Sequence, residues 1–386
     1  MEKKVFTVLF IAVLASTIGV SIIEPLMAIY SESLGASGLY IGIIFSAFTL
    51  SRGLFTPIAG KLSDHHGRRN FISGGLLVYT LSSFAYIIAI DVNSLIVVRL
   101  VQGMASAFVA PLAMAYIGDI APKKQEGRYM GTFTISFFLG FGIGPIIGGT
   151  LNHVFSMNAA FIAMGALGLI SLALVFLTLP ELGVHKEKKP SAFLKIIKYK
   201  AMQEILLIRV VTAFGVAGFM VFFPLYATSI GLNTAEIGTI ITINLLVTAL
   251  PQRYFGKLAD KHNKLALIIL GNLVMATTIL LIPLTWDFYS LLGLNIAMGL
   301  GGAIGLPANT ALAAQFGRLH GMGSVMGLLQ AAFAVGMTLG PLIAGIILDL
   351  AGLTVVFFYT AAIVAFGTLA FYMFVKRNVK NHLSGS

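Results

Sequence analysis

The sequence has no cysteine, so a disulfide, a thiolate zinc site, an iron–sulfur cluster and a cysteine nucleophile are all excluded. It is also short of charge: Asp, Glu, Lys and Arg make up 10% of its 386 residues. A soluble domain carries about 25%, because its surface must be hydrated. A water-soluble enzyme and a disordered chain are therefore both ruled out. The seven His (His65, His66, His153, His185, His262, His320 and His382) fall in loops or tails without ligand spacing, so no metal centre is expected. No G-x-x-x-x-G-K-[ST] sequence is present to bind ATP, and no cofactor is expected.

What is present is apolar. Hydrophobic residues make up 58%, with 29 Phe and 42 Gly, and mean hydropathy is +0.95. A bilayer core of about 30 Å needs roughly 20 apolar residues per helix. Twelve such runs occur, at about 6–30, 39–60, 71–90, 95–117, 128–151, 158–179, 203–229, 237–257, 265–284, 289–313, 321–348 and 353–375. The ~10-residue alternating segments of an outer-membrane barrel are missing. The first run is too long, and too well followed by others, for a cleaved signal. An all-α, multi-pass membrane protein is expected.

The loops alternate in charge. On one side fall 21 of the 25 Lys and Arg, among them Lys61, Arg68, Arg69, Lys123, Lys124, Lys257, Lys261 and Lys376. The opposite loops carry only the acids Glu32, Asp91, Glu236, Asp287 and Asp349. The positive-inside rule then places both termini in the cytoplasm. The net charge of +11 is explained by topology and anionic lipid, with no nucleic-acid partner.

The one long polar connector, 182–202, separates a first half (1–181) from a second (203–386), six spans each. Gly60-Lys-Leu-Ser-Asp64 recurs as Gly256-Lys-Leu-Ala-Asp260, 196 residues on. Gly144-Pro145 recurs as Gly340-Pro341 and Met130-Gly131 as Met326-Gly327 in the same register, as do Gly35, Gly42, Gly103 and Pro111 with Gly231, Gly238, Gly299 and Pro307. In the first span, pairing Pro25-Leu26 with Pro224-Leu225 implies a slip of three. Ser31 to Ser33 then have no counterpart, Glu24 maps onto Phe223 and Arg99 onto Asn295. Six spans return the chain to its starting side, so the repeats are parallel. That arrangement belongs to transporters in which a site lies between two rocking halves.

Three motifs resemble the major facilitator superfamily, and within it the twelve-span drug:proton antiporters. The loop after span two, Gly60-Lys-Leu-Ser-Asp64-His-His-Gly67-Arg68-Arg69, is similar to the family's G-x-L-x-D-R-x-G-R-[RK], departing at His65. Here Gly60 permits close helix approach, Gly67 a tight turn, and Asp64 an anion beside basic side chains. The resemblance implies a gating latch between halves. Arg99-Leu-Val-Gln102-Gly103 in span four looks like R-x-x-Q-G, which implies proton coupling at Arg99. In span five Gly131, Gly140, Gly144, Pro145, Gly148 and Gly149 match the antiporter motif. Gly140, Gly144 and Gly148 share one helix face, on which a neighbour can approach closely, and Pro145 can bend the helix. Alone, such a stripe reads as ordinary packing. The resemblance implies the two-repeat, twelve-helix major facilitator fold, a monomer, transport rather than enzymatic activity, and small molecules and protons as partners within the bilayer.

Of 14 acidic residues only Glu24 lies well inside a span. An intramembrane carboxyl is expensive and marks a functional candidate. It lies ~9 Å from the outer end of span one, and Arg99 ~6 Å into span four from the same face. Glu24 is therefore expected to carry the proton, with Arg99 as partner; a static ion pair fixing helix packing is the plainer alternative. Arg52, Arg209 and Arg253 are read as structural. A promiscuous site is expected to draw on Glu24, Met27, Tyr30, Phe222, Tyr226, Asn244 and Gln330, combining adaptable Met with aromatics that stack on cations. The stripe Phe214, Phe219, Phe222, Phe223 and Tyr226 fits helix packing equally well. The leading reading is a proton-coupled antiporter that exports lipophilic, often cationic, compounds across the cell membrane by alternating access. A dedicated exporter of an endogenous lipid, sugar or organic anion is the second, the anion version kept open by four intramembrane arginines. A non-transporting sensor on the same fold is the third.

Overall fold

The computed structural model describes residues 2–122, 125–181 and 193–383. Positions 182–192 of the expected connector, and Lys123 and Lys124, lie outside the described residues. Within lipid every backbone polar group must be satisfied inside its own segment, and the apolar runs accordingly form helices. The first seven are α1 (Glu2–Ser33), α2 (Gly38–His66), α3 (Arg68–Ile88), α4 (Val92–Ala107), α5 (Ala110–Ile120), α6 (Glu126–Val154) and α7 (Met157–Thr178). They are followed by α8 (Phe193–Ile196), α9 (Lys200–Ser229), α10 (Thr234–Ala249), α11 (Gln252–Lys261), α12 (Lys264–Leu281), α13 (Phe288–His320), α14 (Met322–Ala351) and α15 (Leu353–Leu383). Twelve stretches are long and apolar enough to cross a membrane.

Two of the expected spans are broken. Val92–Ile120 is α4 plus α5, and Thr234–Lys261 is α10 plus α11. Pro111 stands in the first turn of α5 and has no N–H to bond back to Ala107. Pro251 stands at the N-cap of α11. Residues 60–66, expected as loop, are instead the last two turns of α2. Gly67 alone, at φ +88°, turns the chain into α3. Asp91 and Asp287 begin helices: their carboxylates accept from the Ser94 and Ser290 amides, each at 2.9 Å.

The chain divides into two compact units, Met1–Lys188 with Ala227–Thr242, and Lys189–Tyr226 with Ile243–Ser386. The 234–242 segment joins the first unit through α6. Thr234 Oγ1 donates to Gly149 O (3.0 Å), and Thr242 Oγ1 accepts from Ile146 N (3.1 Å).

The interiors of the two units repeat contact by contact. In the first, Tyr30 donates to Ala89 O (3.2 Å) and packs edge-on against Phe161, centroids 5.4 Å apart. In the second, Tyr226 donates to Thr285 O (2.7 Å) and packs edge-on against Phe357 at 5.5 Å. All three positions differ by 196. The helix ends agree as well: Ala36 N bonds Ser31 O and Leu232 N bonds Ala227 O, both at 3.0 Å. Since α1 and α9 are each continuous, no slip of three exists in the first span. Glu24 therefore corresponds to Met220 rather than Phe223, and Ser31–Ser33 to Ala227–Ser229. Pro25 and Pro224, both inside their helices, are unrelated prolines; side-chain contacts on both helices fix the register.

Candidate functional site

The first unit holds a polar cluster deep in its helices. Arg99 on α4 is fully buried. Its guanidinium carbon lies 5.2 Å from the Phe45 ring centroid, 5.7 Å from Phe48 and 6.0 Å from Tyr86. Three aromatic faces thus surround the guanidinium. Its Nη1 donates to Gln102 Oε1 at 3.5 Å, and the same oxygen accepts from the Tyr86 hydroxyl at 2.7 Å. Arg99 Nε and Nη2 are buried without a hydrogen-bond partner among the described residues.

Glu24 on α1 is partly buried, and the guanidiniums acting on it are those of Arg99 and Arg52. Among the described residues its carboxyl makes no hydrogen bond or ion pair. The structure thus brings Glu24 and Arg99 within electrostatic reach without the static pair of the plainer reading, and it adds Arg52.

Arg52, Tyr79, Ser16, Thr17, Ser106, Phe137 and Phe141, with Val20, Val109 and Ala110, line a small, half-open cavity of about 30 Å³ in the same unit. It lies at the break between α4 and α5. Tyr79 donates to Ser16 O at 3.3 Å. Sequence reasoning missed Arg52, Tyr79 and Tyr86 as members of the cluster. Comparison at the 196-residue offset could have found them, since Arg52, Tyr79 and Tyr86 correspond to Thr248, Met275 and Ile282 in the second half.

The glycine face of α6 lies on α1. A methyl group on Gly140 would stand 2.7 Å from Thr17 Cβ, and one on Gly144 2.5 Å from Ser21 Cβ. On Gly148 it would meet the Ile22 carbonyl oxygen, and on Gly149 that of Thr234. Gly131 has nothing within 4 Å of that position, so the tight face begins beyond it. Pro145 cannot donate to Phe141 O, and the Ser21 hydroxyl donates there instead, at 3.0 Å. The motif thus grips the helix that carries Glu24, just before Glu24 itself.

The 60–69 segment is held within the first unit. Arg68 pairs with Asp64 (2.9 Å) and Asp119 (2.5 Å). Arg69 donates through Nη2 to Phe176 O (2.7 Å), and its amide donates to Glu181 Oε1 (3.3 Å). The close approach expected at Gly60 is not found, for nothing stands within 4 Å of a methyl there. Of the expected substrate residues, Met27 and Phe222 are fully buried, Tyr226 is nearly so with its hydroxyl bonded, and Gln330 is exposed. Asn244 donates to Asn295 O at 2.8 Å. Arg209 lies over the Phe333 ring at 4.5 Å, and Arg253 is exposed.

A family model described as Major Facilitator Superfamily matches residues 9–204 and 205–385. The uncharacterized MFS-type transporter MJ1560 of Methanocaldococcus jannaschii is 33% identical over 369 residues, covering 94% of this chain and 95% of its own. The quinolone resistance protein NorA of Staphylococcus aureus is 27% identical over 360 residues, 90% of this chain and 91% of its own. A bacterial homolog of the human lysosomal transporter Spinster, inward-facing and unoccupied, superposes with a TM-score of 0.84 at 17% identity, covering 97% and 98% of the two chains. The human organic anion transporter MFSD10 gives 0.70 at 19%, covering 96% and 99%.

Proposed function

The chain belongs to the major facilitator superfamily, and on that footing we propose that it is a proton-coupled antiporter exporting lipophilic, often cationic, small molecules. That it is a multi-pass membrane transporter follows from the family and the twelve spans. The observation that carries the finer reading is Glu24, an intramembrane carboxyl with no bond of its own, placed under the field of Arg99 and Arg52. Ionised, it attracts a cation; protonated, it releases one. One carboxyl serving both in turn is the minimum that exchange requires. The quinolone resistance named for the NorA relative supports a drug-like substrate.

In this reading both termini are cytoplasmic, the protein works as a monomer in the cell membrane, and the proton enters from outside. Met27, Tyr30, Phe222, Tyr226, Asn244 and Gln330 contact substrate. The α6 glycine face positions α1, and the 60–69 segment serves as latch.

Glu24→Gln tests the coupling, since the amide mimics the protonated acid. In proteoliposomes with an imposed proton gradient, efflux of a lipophilic cation is expected to fall at least tenfold while the variant still folds. Undiminished proton-driven efflux by Glu24→Gln rules the mechanism out.

A further inference from the structure

The first part of α10 makes a contact with α6 that the glycine face on α1 does not account for. Residues 234–242 belong to the first unit, although α10 comes from the second six-span half. Three hydrogen bonds hold them to α6. Asn152 Nδ2 donates to Thr234 Oγ1 at 3.3 Å, Thr234 Oγ1 donates to Gly149 O at 3.0 Å, and Ile146 N donates to Thr242 Oγ1 at 3.1 Å. Between these bonds the backbones touch: a methyl on Gly149 would meet Thr234 O, and one on Gly238 would meet Pro145 O.

Neither hydroxyl is needed by its own helix. Asn233 already caps α10, its Oδ1 accepting from Glu236 N at 3.0 Å while Glu236 Oε2 accepts from Asn233 N at 2.9 Å. Other threonines of α10 turn back onto the helix, as Thr239 does to Ala235 O and Thr248 to Asn244 O, both at 2.8 Å. Thr242 instead receives the amide that follows Pro145. The proline break in α6 thus has a hydroxyl on each side: Ser21 of α1 donates to Phe141 O, and Thr242 of α10 accepts from Ile146 N. The bond at the tip is not shared packing either, since Gly38 and Leu348 stand in the repeat where Thr234 and Asn152 do.

We propose that Thr234 and Thr242 form a clasp that shuts the outer end of the transport path and parts in each cycle. The geometry suits a contact made and broken repeatedly. Gly149 and Gly238 present bare backbone, so the two faces separate without repacking of side chains. Released from Thr242, Ile146 N has Gly142 O of its own helix to bond. Thr234 and Asn152 are partly exposed, and water takes up their bonds. Opening therefore leaves no buried polar group without a partner, as a two-state contact requires. This rests on the proposed alternating access with cytoplasmic termini, which puts 145–152 and 234–242 in the outer halves of their spans.

The chain has no cysteine of its own, so introduced pairs report without background. In proteoliposomes, Asn152→Cys with Thr234→Cys is expected to crosslink under copper phenanthroline and to lose proton-driven efflux of a lipophilic cation at least tenfold. Reductant is expected to restore it, and the two single variants are expected to ignore the oxidant. Undiminished efflux by the crosslinked protein overturns the proposal, and so does a pair that never crosslinks. A second measurement needs no substrate: the distance between spin labels on His153→Cys and Ser229→Cys, read by double electron–electron resonance in nanodiscs. Thr234→Val with Thr242→Val, which keeps the side-chain shapes, is expected to shift the populations about fivefold toward the longer distance, the effect of one hydrogen bond lost. An unchanged distribution in the folded variant overturns the clasp. Failure of the antiport reading shows separately, as proton-driven cation efflux that survives Glu24→Gln or is absent from the wild type, while the label distances still report on the clasp.

Discussion

Changing Gly148 to Ala is the sharpest test of how α6 is held to α1. The added methyl would meet the Ile22 carbonyl oxygen. At Gly140 and Gly144 the nearest atoms belong to the Thr17 and Ser21 side chains, but at Gly148 they are backbone and cannot turn aside. The two helices must separate, and overpacking of this kind costs ~1–3 kcal/mol. The better helix propensity of Ala returns ~1 kcal/mol. A net loss of about 1 kcal/mol is expected. Gly131→Ala is the matched control: with nothing within 4 Å of the methyl, only the propensity gain of ~1 kcal/mol applies. The propensity gain is common to both Gly→Ala changes, so they differ by the overpacking cost alone, about 2 kcal/mol, roughly thirtyfold in folded-to-unfolded ratio. Denaturation in mixed micelles followed by helical circular dichroism reads this directly. Equal stability of the two variants, or a larger loss at Gly131, refutes the close-approach argument. Because Glu24 lies two residues beyond Ile22, Gly148→Ala is also expected to slow proton-driven efflux.

Three further outcomes follow from named contacts. Ser21→Ala leaves Phe141 O without a donor and is expected to cost ~1–3 kcal/mol; adding Pro145→Ala, which restores a backbone N–H, is expected to recover most of it in the same denaturation assay. Gly67→Ala is expected to destabilise by ~1–2 kcal/mol, because φ of +88° disfavours a Cβ, whereas Gly60→Ala, in open helix, is expected to cost nothing. The Ser290 hydroxyl and amide hold the Asp287 carboxyl below the usual aspartate value. A lowered value in the folded state stabilises at pH above the usual ~3.9 and is lost as pH falls through the lowered one, so the acid limb of a stability–pH curve is expected to flatten in Asp287→Asn.

The twelve spans were legible because lipid demands long apolar runs, and the glycine face because its spacing is a surface property of one helix. The helix breaks were less so. Pro111 and Pro307 are 196 residues apart, yet Pro111 opens a new helix while Pro307 stays inside α13. A proline removes one bond in both places, and tertiary packing decides whether the helix resumes at once. The slip assigned to the first span had a different origin. Pro25 and Pro224 are conspicuous in the sequence, but the register is set by Tyr30 on Ala89 and Phe161, and by Tyr226 on Thr285 and Phe357. Those partners lie 59 or more residues away, so no local pattern announces them. Glu24 and Arg99 were found singly, as rare charges. That Arg52 shares their field depended on how α2 packs against α4, where Ser51 donates to Leu100 O at 2.7 Å and Gly103 meets the Phe48 backbone.

Once the register is fixed, the differences between the units locate the chemistry more sharply than either unit alone. Packing is shared: Gly140 on Thr17 and Gly336 on Ala213, Gly103 on Phe48 and Gly299 on Asn244, Gly75 on Ala105 and Gly271 on Gly301 all sit in one register. A position that differs in polarity while its neighbours pack alike is not explained by packing. Six such positions carry the cluster of the first unit. Glu24, Arg52, Tyr79, Tyr86, Arg99 and Gln102 stand where the second unit has Met220, Thr248, Met275, Ile282, Asn295 and Met298. Three methionines and an isoleucine fill the space that four polar side chains occupy in the first unit, so the fold holds together without the polar set. Burying two guanidiniums and a carboxyl is costly, and an apolar solution for the same scaffold is written in the same chain. The charged set is therefore held against stability, and a set so held is where a proton and its exchange partner are to be sought.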